Sequence, residues 1–152
     1  MCTLALGEIP TKQLNDGTVT PMMGYGTYKV GFIPASASAS GGVASGEGAA
    51  AKDVVKEALQ MGYSFLDCAQ FYGNEAAVGE AIRESGIPRE KLYLASKVWC
   101  DNIHEGKTAV RAQLQKTLRD LGTSYLNLYL IHWPVPTKHV AAYQVTVCRL
   151  PL

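Results

Sequence analysis

Apolar residues return along this chain with more than one period. Val110, Leu114, Leu118 and Leu121 stand at i, i+4, i+8 and i+11, a single helical stripe that predicts a helix over 105–121 closed by Gly122. Val54, Val55, Ala58, Leu59 and Met61 form a shorter stripe over 52–61 that Gly62 ends. Ala77, Val78, Ala81 and Ile82 form a third over 74–85, ended by Gly86 and Pro88. Between the stripes lie short, nearly continuous apolar runs at 63–66, 92–99 and 125–131, the last stopped by Trp133-Pro134 and Pro136. Runs of this kind suit strands buried on both faces. Upstream, Lys12-Gln13-Leu14 and Thr18-Val19-Thr20 flank Asn15-Asp16-Gly17, a hairpin signal because Gly takes positive φ at no steric cost. The run 22–30 then predicts a first buried strand, whose glycines let other groups approach its backbone. Strands alternating with helices in this order predict an α/β fold with a parallel sheet and right-handed crossovers, four strands and three helices after the hairpin.

One segment breaks the pattern. From Ala35 to Ala51, 15 of 17 residues are Ala, Ser or Gly. Side chains so small cannot offset their ordering entropy, so 35–51 is expected to be a flexible insertion. The composition of the rest is ordinary: 152 residues, 47% hydrophobic, 18% charged, a formal net charge of +1 and a mean hydropathy of +0.02. Near-neutral charge without like-charge runs argues against nucleic acid or an anionic membrane as partner. No stretch approaches the ~20 apolar residues of a membrane span, and residues 1–10 lack the pattern of a secretory signal, so a cytoplasmic protein is expected. Cys2, Cys68, Cys100 and Cys148 are widely spaced and read as reduced thiols, not as a zinc site or disulfide framework. His104 and His139 have no partner at ligand spacing, so no metal is expected. Neither GxGxxG nor GxxxxGK[ST] opens a predicted helix, so neither standard nucleotide loop is signalled.

In parallel α/β folds, chemistry gathers where strands end at their C-termini. Here those ends are polar: the second strand ends in Asp67 with Tyr72 five residues later in the loop, the third ends in Lys97, and the fourth ends in His132. Singly, each has an architectural reading: Asp67 as a helix cap (although Asn74 is better placed for that), Tyr72 as loop packing, Lys97 as a snorkelling side chain, and His132 as a hydrogen-bonded structural histidine. Jointly that reading weakens, because a lysine within an apolar run is costly unless an acid compensates it, and Asp67 is the available acid. An unperturbed phenol titrates near 10, and a neighbouring ammonium favours its ionised form. The group therefore suits proton donation from Tyr72 to a carbonyl oxygen, with His132 giving that oxygen a second hydrogen bond and Asp67 holding Lys97. Tyr28, Trp99 and Trp133 follow the same rim and suit an apolar, aromatic substrate wall. No side chain can deliver a hydride, so a reduction needs a nicotinamide or flavin.

The segments Gly62-Tyr63-Ser64-Phe65-Leu66-Asp67-Cys68-Ala69-Gln70-Phe71-Tyr72-Gly73-Asn74-Glu75, Ser96-Lys97-Val98-Trp99 and Leu130-Ile131-His132-Trp133-Pro134 resemble the signatures of the aldo-keto reductases. That resemblance implies a (β/α)8 TIM-type barrel that reduces aldehydes and ketones with NADPH. It implies that the family's catalytic Asp, Tyr, Lys and His fall on Asp67, Tyr72, Lys97 and His132, at spacings of 5, 25 and 35 residues. Gly26-Thr27-Tyr28 resembles the family's first-strand segment, which with Asp67 implies cofactor contacts from Gly26, Thr27 and Asp67 and substrate contacts from Tyr28. The resemblance covers about residues 4–30 and 50–136, so 1–136 reads as a partial reductase domain and 137–152 as a divergent tail.

What the resemblance implies is limited by length. A barrel of this type takes about 250 residues. The groups that hold the cofactor's carboxamide, its ring face and its 2′-phosphate fall in the family's second half, with no candidate here. The insertion at 35–51 reads as inert before it reads as a lid. An isolated half barrel with two open strand edges is expected to be marginal, and to self-associate or expose apolar surface. Tyr143, Val145 and Val147 alternate with polar residues, so the tail is either an added edge strand or disordered. Two functions follow: an NADPH-dependent reductase of small carbonyl substrates, and a catalytically silent truncated fragment acting only through binding or assembly.

Overall fold

The structure, a computed structural model, describes residues 8–30 and 47–134. It opens with the expected hairpin, strands β1 (Thr11–Gln13) and β2 (Val19–Pro21) paired antiparallel. The Gly17 N–H donates to Leu14 O at 3.0 Å, and Asp16 Oδ1 accepts from the Thr18 N–H and hydroxyl at 3.0 and 2.6 Å. A four-stranded parallel sheet follows, in the order β3 (Tyr25–Gly26), β4 (Phe65–Asp67), β5 (Tyr93–Val98) and β6 (Leu128–Ile131). Helices α1 (Glu47–Gln60), α2 (Glu75–Ser85), α3 (Cys100–Glu105) and α4 (Lys107–Asp120) occupy the connections.

Register divides the side chains between two faces. Leu66 pairs with Leu94, Ser96 with Tyr129, and Val98 with Ile131, so the two-residue pleat sends this set to one side. There Leu66, Leu94, Val55, Leu59, Val78 and Leu121 form the larger core cluster under α1 and α2. Val98, Ile103 and Val110 form a smaller one, with Tyr129 and Ile131 against it. Phe65, Asp67, Tyr93, Ala95, Lys97, Leu128 and Leu130 alternate to the opposite face, where Leu128 and Leu130 are exposed. The charged strand-end residues thus avoid the helix layer.

Two further contacts hold that layer together. Gly79 in α2 lies so close to α4 that a Cβ there would sit 2.2 Å from Asp120 O, so only glycine permits this approach. Glu75 is buried and, among the described residues, forms no ion pair. Its carboxylate accepts from Ser96 Oγ at 2.6 Å and Thr117 Oγ1 at 2.9 Å, which ties α2 to β5 and α4. Burial raises its pKa above the ordinary carboxylate value, and these two hydroxyls oppose the rise.

Several expectations need correction. The first strand is not 22–30: only Tyr25–Gly26 pair, Met22 and Met23 are exposed, and the Val30 N–H turns back to Thr27 O at 3.2 Å. The helix expected over 105–121 forms over Lys107–Asp120, and a further short helix that the sequence did not signal, α3, precedes it. Gly106, at φ 102° and ψ −170°, separates α3 from α4 in a conformation that side-chain-bearing residues rarely adopt. The last strand starts at Leu128 and not at Tyr125, because Arg89 takes Tyr125 O at 2.8 Å and Asn127 Oδ1 at 2.9 Å and stacks on the Tyr125 ring. The flexible insertion assigned to 35–51 is too long at its C-terminal end: Glu47 to Ala51 belong to α1, where Ala51 is fully buried. Alanine gives up the least on entering a helix, so Ala49-Ala50-Ala51 extend α1 at little cost. Residues 35–46 and the tail 137–152 lie outside the described residues.

Candidate active site

Asp67 is the last residue of β4, and its position is fixed through the backbone. Its carbonyl accepts the Thr27 N–H at 3.0 Å and the Thr27 hydroxyl at 3.1 Å, which seats the fully buried Thr27 beside it. Gly26 pairs with Asp67 across the sheet, and a Cβ built on Gly26 would meet nothing within 4 Å. Space is therefore open at the strand end where Gly26, Thr27 and Asp67 converge.

Lys97 stands one residue before the end of β5, on the same sheet face as Asp67. Its ammonium donates three hydrogen bonds: to Asp67 Oδ1 at 2.6 Å, Cys68 O at 3.0 Å and Tyr72 OH at 3.1 Å. An ammonium has three protons, so this geometry uses each of them. Burial alone would pull the Lys97 pKa down, but the hydrogen bonds to Asp67 and Tyr72 and the Asp67 charge outweigh it, and the net shift is upward. Lys97 is therefore a fixed cation at neutral pH. Tyr72 ends the 3-10 turn Gln70–Tyr72, which closes with Gly73 N–H donating to Gln70 O at 3.2 Å.

His132 follows β6, with its backbone N–H donating to Val98 O at 3.1 Å. Its imidazole meets the Tyr72 ring edge-on, with centroids 5.6 Å apart and planes at 87°. Burial first, and then the Lys97 charge, lower its pKa against the opposing pull of Asp67, so the ring is neutral at pH 7. Its Nδ1 is buried without a hydrogen-bond partner among the described residues. An orphaned acceptor costs less than an orphaned donor, so we assign the proton to Nε2.

Aromatic rings surround these four residues. Tyr28, largely exposed, lies 5.1 Å from the Tyr72 ring. Trp99 lies 5.1 Å from His132 and 4.9 Å from Trp133. The structure thus brings together every residue singled out from the sequence: Asp67, Tyr72, Lys97 and His132, with Gly26 and Thr27 at one side and Tyr28, Trp99 and Trp133 around the rim. Burial pushes the Cys68 thiol up to about 12, leaving it un-ionised at neutral pH.

Three contributors were not legible beforehand. Asn74 precedes α2 but makes no side-chain cap; its Nδ2 donates instead to Thr27 O at 2.9 Å and Val30 O at 2.6 Å, tethering the turn that carries Tyr28. Phe71 stacks on Trp99, with centroids 4.1 Å apart. Gln70 binds the Trp99 backbone. Gln70 and Phe71 lie between Asp67 and Tyr72 and Asn74 two residues beyond, inside the segment whose resemblance was noted, but nothing local to them signalled these contacts.

This arrangement has close counterparts. A sequence model of the Aldo/keto reductase family matches residues 23–148, a range that runs past Pro136 into the tail set apart above as divergent. An uncharacterized oxidoreductase of Schizosaccharomyces pombe is 42% identical over 125 residues, covering 82% of this chain and 33% of its own length. The aldo/keto reductase of Brucella melitensis superposes with a TM-score of 0.74 at 35% identity, over 91% of this chain and 48% of that one. A Bombyx mori aldo-keto reductase solved in complex with NADP gives 0.72 at 30% identity, over 92% and 46%. The chain thus spans about a third of the length of the curated relatives it matches and under half of these solved ones. Matched by the family model over 23–148 and superposing over most of its length on solved aldo/keto reductases, this chain belongs to the aldo/keto reductase family.

Proposed function

We propose that this chain carries the proton-donating part of an NADPH-dependent carbonyl reductase site. The observation that carries the reading is the Lys97 ammonium, which links Asp67 Oδ1 at 2.6 Å to Tyr72 OH at 3.1 Å on one strand-end rim. In this reading Tyr72 gives its phenolic proton to the oxygen of an aldehyde or ketone as that oxygen gains charge. Lys97 stabilises the phenolate left behind, and Asp67 keeps Lys97 in place. His132 donates from Nε2 to the same carbonyl oxygen and sets its orientation. Tyr28, Trp99 and Trp133 exclude water and hold the apolar part of a small carbonyl substrate.

NADPH, when bound, supplies the hydride for the carbonyl carbon. The residues present suit its reactive end: Gly26 leaves open space beside Thr27 and Asp67. We assign no described residue to the 2′-phosphate. The free thiols of Cys68 and Cys100 support a reducing, cytoplasmic setting.

A second reading, a catalytically silent chain that acts through binding or assembly, draws on the 2′-phosphate, to which no described residue is assigned. Cofactor titration separates the two. Saturable quenching of Trp fluorescence by NADPH up to millimolar concentration is expected under the first reading, and its absence would favour the second. Where turnover is measured, Tyr72→Phe should lower kcat by about 10²–10⁴-fold and leave NADPH binding intact. Turnover that survives this change would exclude Tyr72 as the donor.

A further inference from the structure

We propose that Gln70 is a positioning residue that locks Trp99 to the loop carrying Tyr72, so that the aromatic wall and the proton donor move as one body. Gln70 uses both ends of its amide for this. Its Oε1 accepts the Trp99 backbone N–H at 2.7 Å, and its Nε2 donates to Asn102 Oδ1 in α3. Trp99 is the residue at which β5 turns into α3, with φ −83° and ψ 160°. Its N–H lies beyond the last ladder residue of β5, so Gln70 supplies the acceptor that a neighbouring strand would otherwise provide.

The next residue along the same turn completes the lock. Phe71 stacks on the Trp99 indole at 4.1 Å and 27° between planes, so backbone and side chain of Trp99 are held by consecutive residues. Tyr72 follows directly, with its hydroxyl on Lys97. Trp99 in turn meets the His132 imidazole edge-on at 5.1 Å. A single turn, 70–72, therefore sets the wall, the proton donor and, through Trp99, one side of the imidazole. Nothing in this chain of contacts requires glutamine for the core. The amide is half-buried, and its two bonds both go to the β5–α3 corner.

The consequence for specificity rests on the proposed carbonyl reductase reading. A substrate with a ring or long apolar tail leans on Trp99 and feels its freedom. One of two or three carbons does not reach the wall. Gln70 therefore acts on the discrimination between bulky and small aldehydes and not on proton transfer itself.

The test uses the full chain with Trp133→Phe as background, leaving Trp99 as its one tryptophan. Gln70→Met keeps the length and removes both bonds, while Gln70→Glu keeps the acceptor for the Trp99 N–H. With far-UV circular dichroism unchanged, Gln70→Met should raise acrylamide quenching of Trp99 about twofold or more and red-shift its emission, and Gln70→Glu should restore most of the parent signal. On chains with the native Trp133, Gln70→Met should raise KM for an aromatic aldehyde about fivefold, the worth of the one bond that holds the Trp99 N–H. KM for a three-carbon aldehyde and kcat for both should stay unchanged. Equal quenching in Gln70→Met and parent would overturn the proposal, as would an equal rise of KM for both aldehydes. If Gln70→Met does not fold, Asn102→Ala removes the second bond alone, and unchanged quenching there overturns the lock. A parent chain without turnover defeats the reductase reading, while the quenching comparison still decides the role of Gln70.

Discussion

At the scale of single residues, the site is organised by one lysine. A strand that is otherwise buried admits Lys97 because each of its protons has an acceptor, two of them in the Asp67–Cys68 corner and one on Tyr72. The pairing of Lys97 with Asp67 was legible from the sequence, since a charge in an apolar run needs its opposite nearby. The state of His132 was not, because it depends on burial and on the distance to Lys97. Its pKa is lowered below the ordinary value of 6.5, so between these two values the unfolded chain binds more protons than the folded one. Stability linked to His132 is therefore complete above the unfolded value and is lost as pH falls through the folded one. Thermal melts of the native chain and of His132→Leu between pH 7.5 and 5 should show the acid-side loss reduced in the variant. Parallel curves would remove His132 from the linkage.

At the scale of elements, the stripes over 52–61 and 74–85 and the runs at 63–66 and 92–99 all formed, with ends shifted by a few residues. The stripe of Val110, Leu114, Leu118 and Leu121 formed as α4, whereas α3 before Gly106 was hidden because its six residues are too few to show a stripe of their own. The β3 strand is short for a tertiary reason. Thr27 O receives both the Val30 N–H and Asn74 Nδ2, contacts that depend on a residue 47 positions away. The α2–α4 contact is likewise invisible in local pattern. Gly79→Ala improves helix propensity by roughly 1 kcal/mol, yet its Cβ would meet Asp120 O at 2.2 Å. The clash should win, with a net loss of about 1–3 kcal/mol in urea unfolding. A neutral or stabilising Gly79→Ala would mean that the two helices can separate freely.

At the scale of the whole molecule, the sheet has two characters. Its helix-covered side is closed by the two core clusters, while its other side carries Asp67 and Lys97 at the strand ends and the exposed Leu128 and Leu130 on β6. Among the described residues, β3 and β6 each pair with one strand, so each leaves an edge of backbone donors and acceptors facing outward. We expect the 152-residue chain, studied by itself, to satisfy these groups by self-association. Sedimentation velocity should give species larger than the 16.3 kDa monomer, in proportion to concentration. A compact monomer at all concentrations, without binding of a hydrophobic dye, would show that the face and edges are covered from within the chain.

What the sequence by itself determined is the alternation of strands with helices and which polar residues stand at the strand ends. Periodicity is a local property, and polar residues at the ends of apolar runs stand out wherever the fold puts them. The tertiary structure decided the rest: that Lys97 reaches Asp67, Cys68 and Tyr72 at once, that Asn74 tethers the Tyr28 turn and does not cap a helix, and that Gln70 holds Trp99. These bonds join residues roughly 25 to 47 positions apart. Their geometry follows from strand register and helix packing, which no local pattern encodes.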